Sequence, residues 1–130
     1  MNNPRITAKE RGLLKGAIRR VYSRSDIRRA VINASKVTHS DPTRKRVKTW
    51  CRCAICQQPE AISLMVVDHR DPIIPVNSSL EAMSWDTVID RTWCEENNLD
   101  AVCKTCHDVK TKAENKLRRE YKKNGQSSKS

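Results

Sequence analysis

Phenylalanine is absent from this 130-residue chain, aromatic residues amount to 4%, and no apolar run approaches the roughly 20 residues that span a bilayer. With so few large apolar side chains the hydrophobic core must be small, and burial alone supplies little stability at that size. Glycine occurs three times. No Gly-rich phosphate loop, Gly-x-Ser-x-Gly element or internal repeat is present, which excludes the sequence-evident forms of P-loop nucleotide hydrolysis, serine hydrolysis and solenoid assembly. The opening residues Met1, Asn2, Asn3, Pro4, Arg5 and Ile6 lack the apolar stretch of a secretion signal. The expected compartment is therefore the reducing cytoplasm, with no membrane association.

What the chain does have is positive charge, unevenly placed. The net charge is +11. Residues 1–48 carry 14 Lys/Arg against 3 Asp/Glu, residues 49–107 carry 4 against 9, and residues 108–130 carry 8 against 3. Basic flanks around an acidic centre suit a protein that grips phosphates at its edges and holds cations in its middle. Solubility alone would more often mix the two signs. The expected partner is nucleic acid, DNA in the first instance.

Local signals divide the chain into a basic helical arm and linker (1–48), a central domain (49–123) and a polar tail (124–130) expected to fray. Thr7 and Glu10 form a capping-box pattern, with Leu14, Ala17, Ile18, Val21 and Tyr22 following at helical spacing. Ser25 or Asp26 is placed to cap a second helix with a stripe of Ile27, Ala30, Val31 and Ala34. Arg19, Arg20, Arg24, Arg28 and Arg29 fall on the polar faces of this pair, and Arg44, Lys45 and Arg46 form a basic run in the linker. These eight are the candidate nucleic-acid contacts, and a solvated helical pair that merely packs on the domain is the alternative. His39 has no partner spaced for chemistry and reads as an ordinary exposed histidine, while Trp50 is expected beneath the first cysteine knuckle.

Ala61 to Val67 is rich in β-formers and predicts a strand that delivers Asp68 and His69 at its end. Pro72 and Pro75 then enforce a loop from Arg70 to Ser79. Ser84 to Trp93 predicts a helix with Trp85, Val88, Ile89 and Thr92 on one face, and Asn97 to Val102 a short strand. A final helix is expected from His107 to about Lys123, ended by Gly125.

Six cysteines suit the need for a staple. Cys53 and Cys56 form one Cys-x-x-Cys pair, and Cys103 and Cys106 another that runs into His107. A thiolate every third residue lets a tight turn aim both sulfurs at one ion, so the two pairs can close a tetrahedral S4 zinc site. Three disulfides are the alternative, disfavoured in a reducing compartment. Cys51 and Cys94 are left over as small buried hydrophobes, although Cys51 with Cys53 is a second conceivable register, and His107 could replace one sulfur in a Cys3His site.

Asp68-His69, Asn98-Leu99 and Cys103-Lys104-Thr105-Cys106-His107 together resemble the DH, NL and CxxCH signatures of the HNH endonuclease family, over roughly residues 50–115. Short phage-encoded HNH proteins are especially similar, which would place the chain in a bacterial host cytoplasm, with phage packaging or other DNA-processing proteins as further partners. The resemblance implies an α+β fold: a small zinc-stapled ββα-metal finger, here with a basic helical N-terminal arm outside the shared motif. It also implies metal-dependent hydrolysis of DNA phosphodiesters, giving 5′-phosphate and 3′-hydroxyl ends. In that reading His69 is the general base, a role suited to a side chain that titrates near neutrality. Asp68 and His107 hold one divalent ion, and Asn98 orients the base across the loop. Some relatives place a further histidine one helical turn after His107, where this chain has Thr111. Fewer protein ligands favour Mg2+ or Mn2+, which accept water and phosphate oxygens. The rival expectation is a zinc-stabilised DNA- or partner-binding module with an idle site.

Overall fold

A computed structural model describes residues 5–127, with side chains to Asn124. Helix α1 (Ala8–Tyr22) begins where the sequence signals it: Thr7 Oγ1 accepts the Glu10 N–H at 3.1 Å and Glu10 Oε1 accepts the Thr7 N–H at 3.0 Å. Both groups would otherwise be orphan donors of the first turn. Thr7→Ala is expected to cost about 1 kcal/mol, readable as a small drop in melting temperature with no loss of metal. Ser25 caps helix α2 (Asp26–Ala34) in the same manner.

The buried faces of these helices differ from the predicted stripes. Leu14 is 43% and Val21 65% exposed, whereas Arg11 and Tyr22 are buried, with Lys15 and Ile18 half-buried on the same side. The inner face thus carries two long cationic side chains, whose methylene stems pack against protein as apolar residues do. Spacing of apolar residues alone does not register such a face. In α2 the buried residue is Ile32, while Ala30 and Ala34 are exposed.

Strands β1 (Lys36–Val37), β2 (Trp50–Arg52) and β3 (Pro59–Ala61) form an antiparallel sheet in that order. The run predicted as one strand from Ala61 is split. Ala61 ends β3, a 3-10 turn spans Ile62–Leu64, and β4 (Met65–His69) follows with Asp68 and His69 as its last residues. Helix α3 (Trp85–Thr92) is capped by Ser84 and buries Val88 and Thr92, but Ile89 remains 42% exposed. A 3-10 turn at Glu96–Asn98 then leads into β5 (Leu99–Cys103), which pairs antiparallel with β4 in the register Asp68 to Asp100 and His69 to Leu99.

Helix α4 (Lys104–Ser127) starts directly after β5, three residues before His107, and its backbone continues through Gly125. One glycine near a helix end costs only about 1 kcal/mol relative to alanine and does not by itself stop the helix. Of the predicted frayed tail, residues 128–130 lie outside the described residues.

Ile32, Cys51, Met65 and Ala101 form one cluster of the buried core, with Val31, Val67 and Cys103 packed against it. The segment read as an arm therefore shares its core with both strands of the β4–β5 pair, and α2 lies against that pair. Cys51 is wholly buried, as expected for a small hydrophobe. Trp50 is also buried, with the His39 ring edge-on at 4.6 Å, so that histidine has an aromatic neighbour despite its exposure. The molecule is thus a mixed assembly of helices and two small antiparallel sheets, compatible with an α+β class. Among the described residues, no helix is long and apolar enough to cross a membrane.

Candidate functional site

Two centres lie at opposite ends of the β4–β5 pair. At one end, the sulfurs of Cys53, Cys56, Cys103 and Cys106 all fall within 4.8 Å of one another. Tetrahedral ligands at about 2.3 Å from zinc stand roughly 3.8 Å apart, so a small inward adjustment closes the site. The first knuckle is held by its own backbone. Gln57 N–H donates to Cys53 O at 2.9 Å, and Cys53 N–H to Gln58 O at 3.0 Å. Gln57 takes a left-handed φ of 64° to turn the chain back. Ala54 N–H donates to Ala101 O at 2.9 Å, fastening the knuckle to β5. The second pair straddles the junction of β5 and α4, with Cys103 ending the strand and Cys106 in the first helical turn. His107 is not among the converging groups, and Cys51 and Cys94 lie outside the cluster.

The electrostatics of this cluster call for a cation. Burial pushes the Cys53 thiol up, but N–H groups of Cys103, Cys56 and Ile55, helped by the Cys56 thiol, bring it down to about 6. Cys106 is pushed up to about 12, first by its hydrogen bond with Cys103, then by burial and by Cys53 and Cys56. One thiol is thus favoured as thiolate by N–H donors while another is held protonated by its neighbours, and a divalent ion bound among them would favour the thiolate form of all four. Zinc binding at pH 7.5 is thus expected to release fewer than four protons per ion, because Cys53 is already a thiolate there whereas Cys106 must lose its proton. Proton release measured with an indicator dye in weak buffer checks this, and four or more protons would contradict it.

At the other end, β4 and α4 bring together Asp68, His69 and His107, which line one cleft of about 380 Å³. Asp68 Oδ1 stands 3.8 Å from His107 Nε2. Neighbouring ligands of an octahedral ion are separated by roughly 3 Å, so this carboxylate–imidazole pair fits one hard cation after a sub-ångström shift. The other carboxylate oxygen of Asp68 is 2.6 Å from Lys110 Nζ, which also donates to His69 O at 2.7 Å and lies 3.5 Å from Glu114.

His69 is 8% exposed, and its Nε2 lies 2.8 Å from the carbonyl of Thr92. A carbonyl only accepts, so in the neutral ring Nε2 carries the proton and Nδ1 retains the basic lone pair. The Tyr22 ring stands 5.5 Å from the imidazole and 5.4 Å from Trp93, so α1 and the end of α3 box the ring in.

Asn98 makes its hydrogen bonds across the loop that follows His69. Its Oδ1 accepts the Asp71 N–H at 3.0 Å and its backbone carbonyl accepts the Arg70 N–H at 2.8 Å. It therefore staples the chain leaving β4 to the turn entering β5. It makes no hydrogen bond to the His69 ring itself, which is held by the Thr92 carbonyl, and it does not line the cleft. The Arg70–Ser79 loop is otherwise held by Arg91, which donates to Ile73 O and pairs with Asp71, and by Arg118, which donates to Ile74 O at 2.7 Å.

The eight candidate nucleic-acid contacts separate. Arg19 and Arg28 line the cleft. Arg20 and Arg24 line a different groove beside Val21 and Trp93, and Arg29 pairs with Asp26 and caps the Arg24 carbonyl. Arg44 is engaged by Glu60 at 2.6 Å and lies over the Trp50 ring, a structural position that leaves Lys45 and Arg46 as the exposed members of that run.

Lys15, Lys110, Glu114 and Arg118 belong to the cleft region and were not singled out from the sequence. A signal existed for the last three, since they follow His107 by three, seven and eleven residues on one helical face. No signal existed for the Thr92 carbonyl. No family model, no curated protein and no solved structure matches this chain. The fold and site define a small mixed α/β-element protein with a four-cysteine cluster able to hold a metal such as zinc.

Proposed function

We propose that the chain is a metal-dependent endodeoxyribonuclease of the HNH type, built as a ββα-metal finger of β4, β5 and α4 on a structural zinc. One observation carries the reading. An Asp–His pair 3.8 Å apart shares a cleft with a histidine whose Nε2 is tied to a carbonyl, leaving Nδ1 as proton acceptor. The cysteine cluster supports it by anchoring the β5–α4 junction, which sets His107 against Asp68.

In this reading His69 takes a proton from the attacking water, and its ring is kept in the useful tautomer by Thr92. Asp68 and His107 would hold one Mg2+ or Mn2+, which supplies charge neutralisation at the phosphoryl group and the leaving 3′ oxygen. Lys110 fixes one oxygen of Asp68, so the other faces His107. Asn98 keeps the β4 end in register with β5 and thereby positions His69. Water and phosphate oxygens would complete the coordination, and products would end in 5′-phosphate and 3′-hydroxyl groups. DNA is the partner, in the cytoplasm of a bacterial host if the gene is carried by a phage.

Supercoiled plasmid incubated with the zinc-loaded protein should be nicked or linearised only when Mg2+ or Mn2+ is added. Asp68→Asn should slow this by more than about tenfold, since a ligand matters more than the outer-shell groups whose loss costs 10–100-fold. A second reading, a zinc-stabilised DNA- or partner-binding module with an idle site, is favoured by the Lys110 ammonium 2.6 Å from Asp68, which already neutralises that carboxylate. Retarded but uncut plasmid under every metal condition would establish it instead.

A further inference from the structure

The cleft that holds Asp68 and His107 is also lined by four basic side chains. Lys15 and Arg19 reach it from α1, Arg28 from α2 and Arg118 from α4. Among the described residues, none of the four is in an ion pair. The carboxylates lining the same cleft, Asp68 and Glu114, both contact Lys110. Arg118 donates through its terminal nitrogens to Asn115 and the Ile74 carbonyl, but its Nε is buried without an acceptor. The crowding is unfavourable in the free protein: burial holds the Lys15 ammonium below its usual range, and the charges of Arg19 and Arg118 push it further down. Gathering like charges around a buried donor costs stability unless an anion is bound there.

Spacing adds to the argument. Lys15 and Arg19 are four residues apart on α1, on the side that buries Arg11 and Tyr22, with Lys15 half-buried and Arg19 exposed where it lines the cleft. The Lys15 and Arg118 side chains converge from elements far apart in the chain, which a merely solvated basic face does not require.

We propose that Lys15, Arg19, Arg28 and Arg118 form a phosphate-binding wall that holds a backbone phosphate of the nucleic-acid strand beside the one facing Asp68 and His107. The proposal rests on the nuclease reading of the cleft. It makes α1 a wall of the substrate channel, with Tyr22 steadying His69 at one end and the two cations gripping the strand along the other. The ligand chemistry is a phosphodiester; free phosphate shares that chemistry and is separated by the test.

The test is binding of a fluorescent DNA oligonucleotide to the zinc-loaded full chain across a salt series, without Mg2+ or Mn2+. Lys15→Gln and Arg118→Gln should each weaken binding about 3–10-fold and reduce the slope of log K against log salt by about 1. Lys9→Gln and Lys116→Gln remove the same charge from exposed positions on α1 and α4 and should change both quantities less. If Arg118→Gln disturbs folding through its bond to Ile74, the Lys15→Gln/Arg19→Gln double variant decides alone. Variants indistinguishable from the two controls would overturn the proposal. So would displacement of the oligonucleotide by inorganic phosphate at equal concentration, which would assign the wall to a free anion. A chain that binds through these residues yet never cuts would instead refute the nuclease reading and leave the wall in place.

Discussion

His69→Ala should cut plasmid DNA about 10²–10⁴-fold more slowly than the native chain while retaining it on a gel equally well. The size of the effect follows from the one hydrogen bond the ring makes. Nε2 is committed to the Thr92 carbonyl at 2.8 Å, so the only proton acceptor the side chain offers is Nδ1. Alanine removes that acceptor and also strands the buried carbonyl, which costs stability of its own. His69→Gln separates the two effects, because its amide can donate to Thr92 but its oxygen is far too weak a base to replace imidazole. Equal loss of cleavage in both variants, with the glutamine form melting nearer to the native temperature, is the expected pattern. Undiminished cleavage by either variant would remove His69 from the mechanism.

Stripping the metal from the cysteine cluster should unfold the domain. Structural zinc contributes roughly 10–16 kcal/mol in small zinc domains at neutral pH, comparable with or larger than the whole stability of a domain this size. The buried apolar residues among those described include few large side chains, Tyr22, Ile32, Trp50, Met65, Met83 and Leu99 being the largest, so burial offers limited compensation. Cys106→Ser and Cys103→Ser are expected to abolish stoichiometric zinc and cooperative melting. Cys51→Ala should keep one zinc per chain and lose about 1 kcal/mol, since it deletes one buried sulfur from a packed core. Metal analysis of protein purified under reducing conditions, paired with circular dichroism melts, reads all of these. Because Cys103 ends β5 and Cys106 opens α4, an ion held there would fix the junction that sets His107 against Asp68. Cleavage should therefore fall with zinc occupancy even when Mg2+ or Mn2+ is plentiful. Full zinc content in Cys106→Ser would show that the ligand set is wrong.

Local chemistry carries further in some segments than in others. The caps at Thr7 and Ser25 are formed as their patterns dictate, because each cap is closed within three residues and needs nothing distant. The two Cys-x-x-Cys spacings converge, the first closed by its own turn bonds and the second set by the strand-to-helix junction. The Pro72 and Pro75 loop is likewise where two missing N–H groups put it. Boundaries that depend on competition between neighbours were less legible: Ala61 pairs with Trp50 in the three-stranded sheet, which detaches it from the strand carrying Asp68. The last helix starts at Lys104 because it continues directly from β5.

Residue order by itself determined the two Cys-x-x-Cys pairs, the caps and the Asp68–His69 pair at a strand end, since those features are encoded by side-chain type at short separations. Tertiary structure alone decided that Thr92 holds the His69 ring, that Lys110 sits on Asp68, that Asn98 grips Asp71, and that Lys15 and Arg118 share a wall. The physical reason is common to all four. A backbone carbonyl looks the same in every residue, and a lysine or arginine on a helix reads as solvated until another element closes over it.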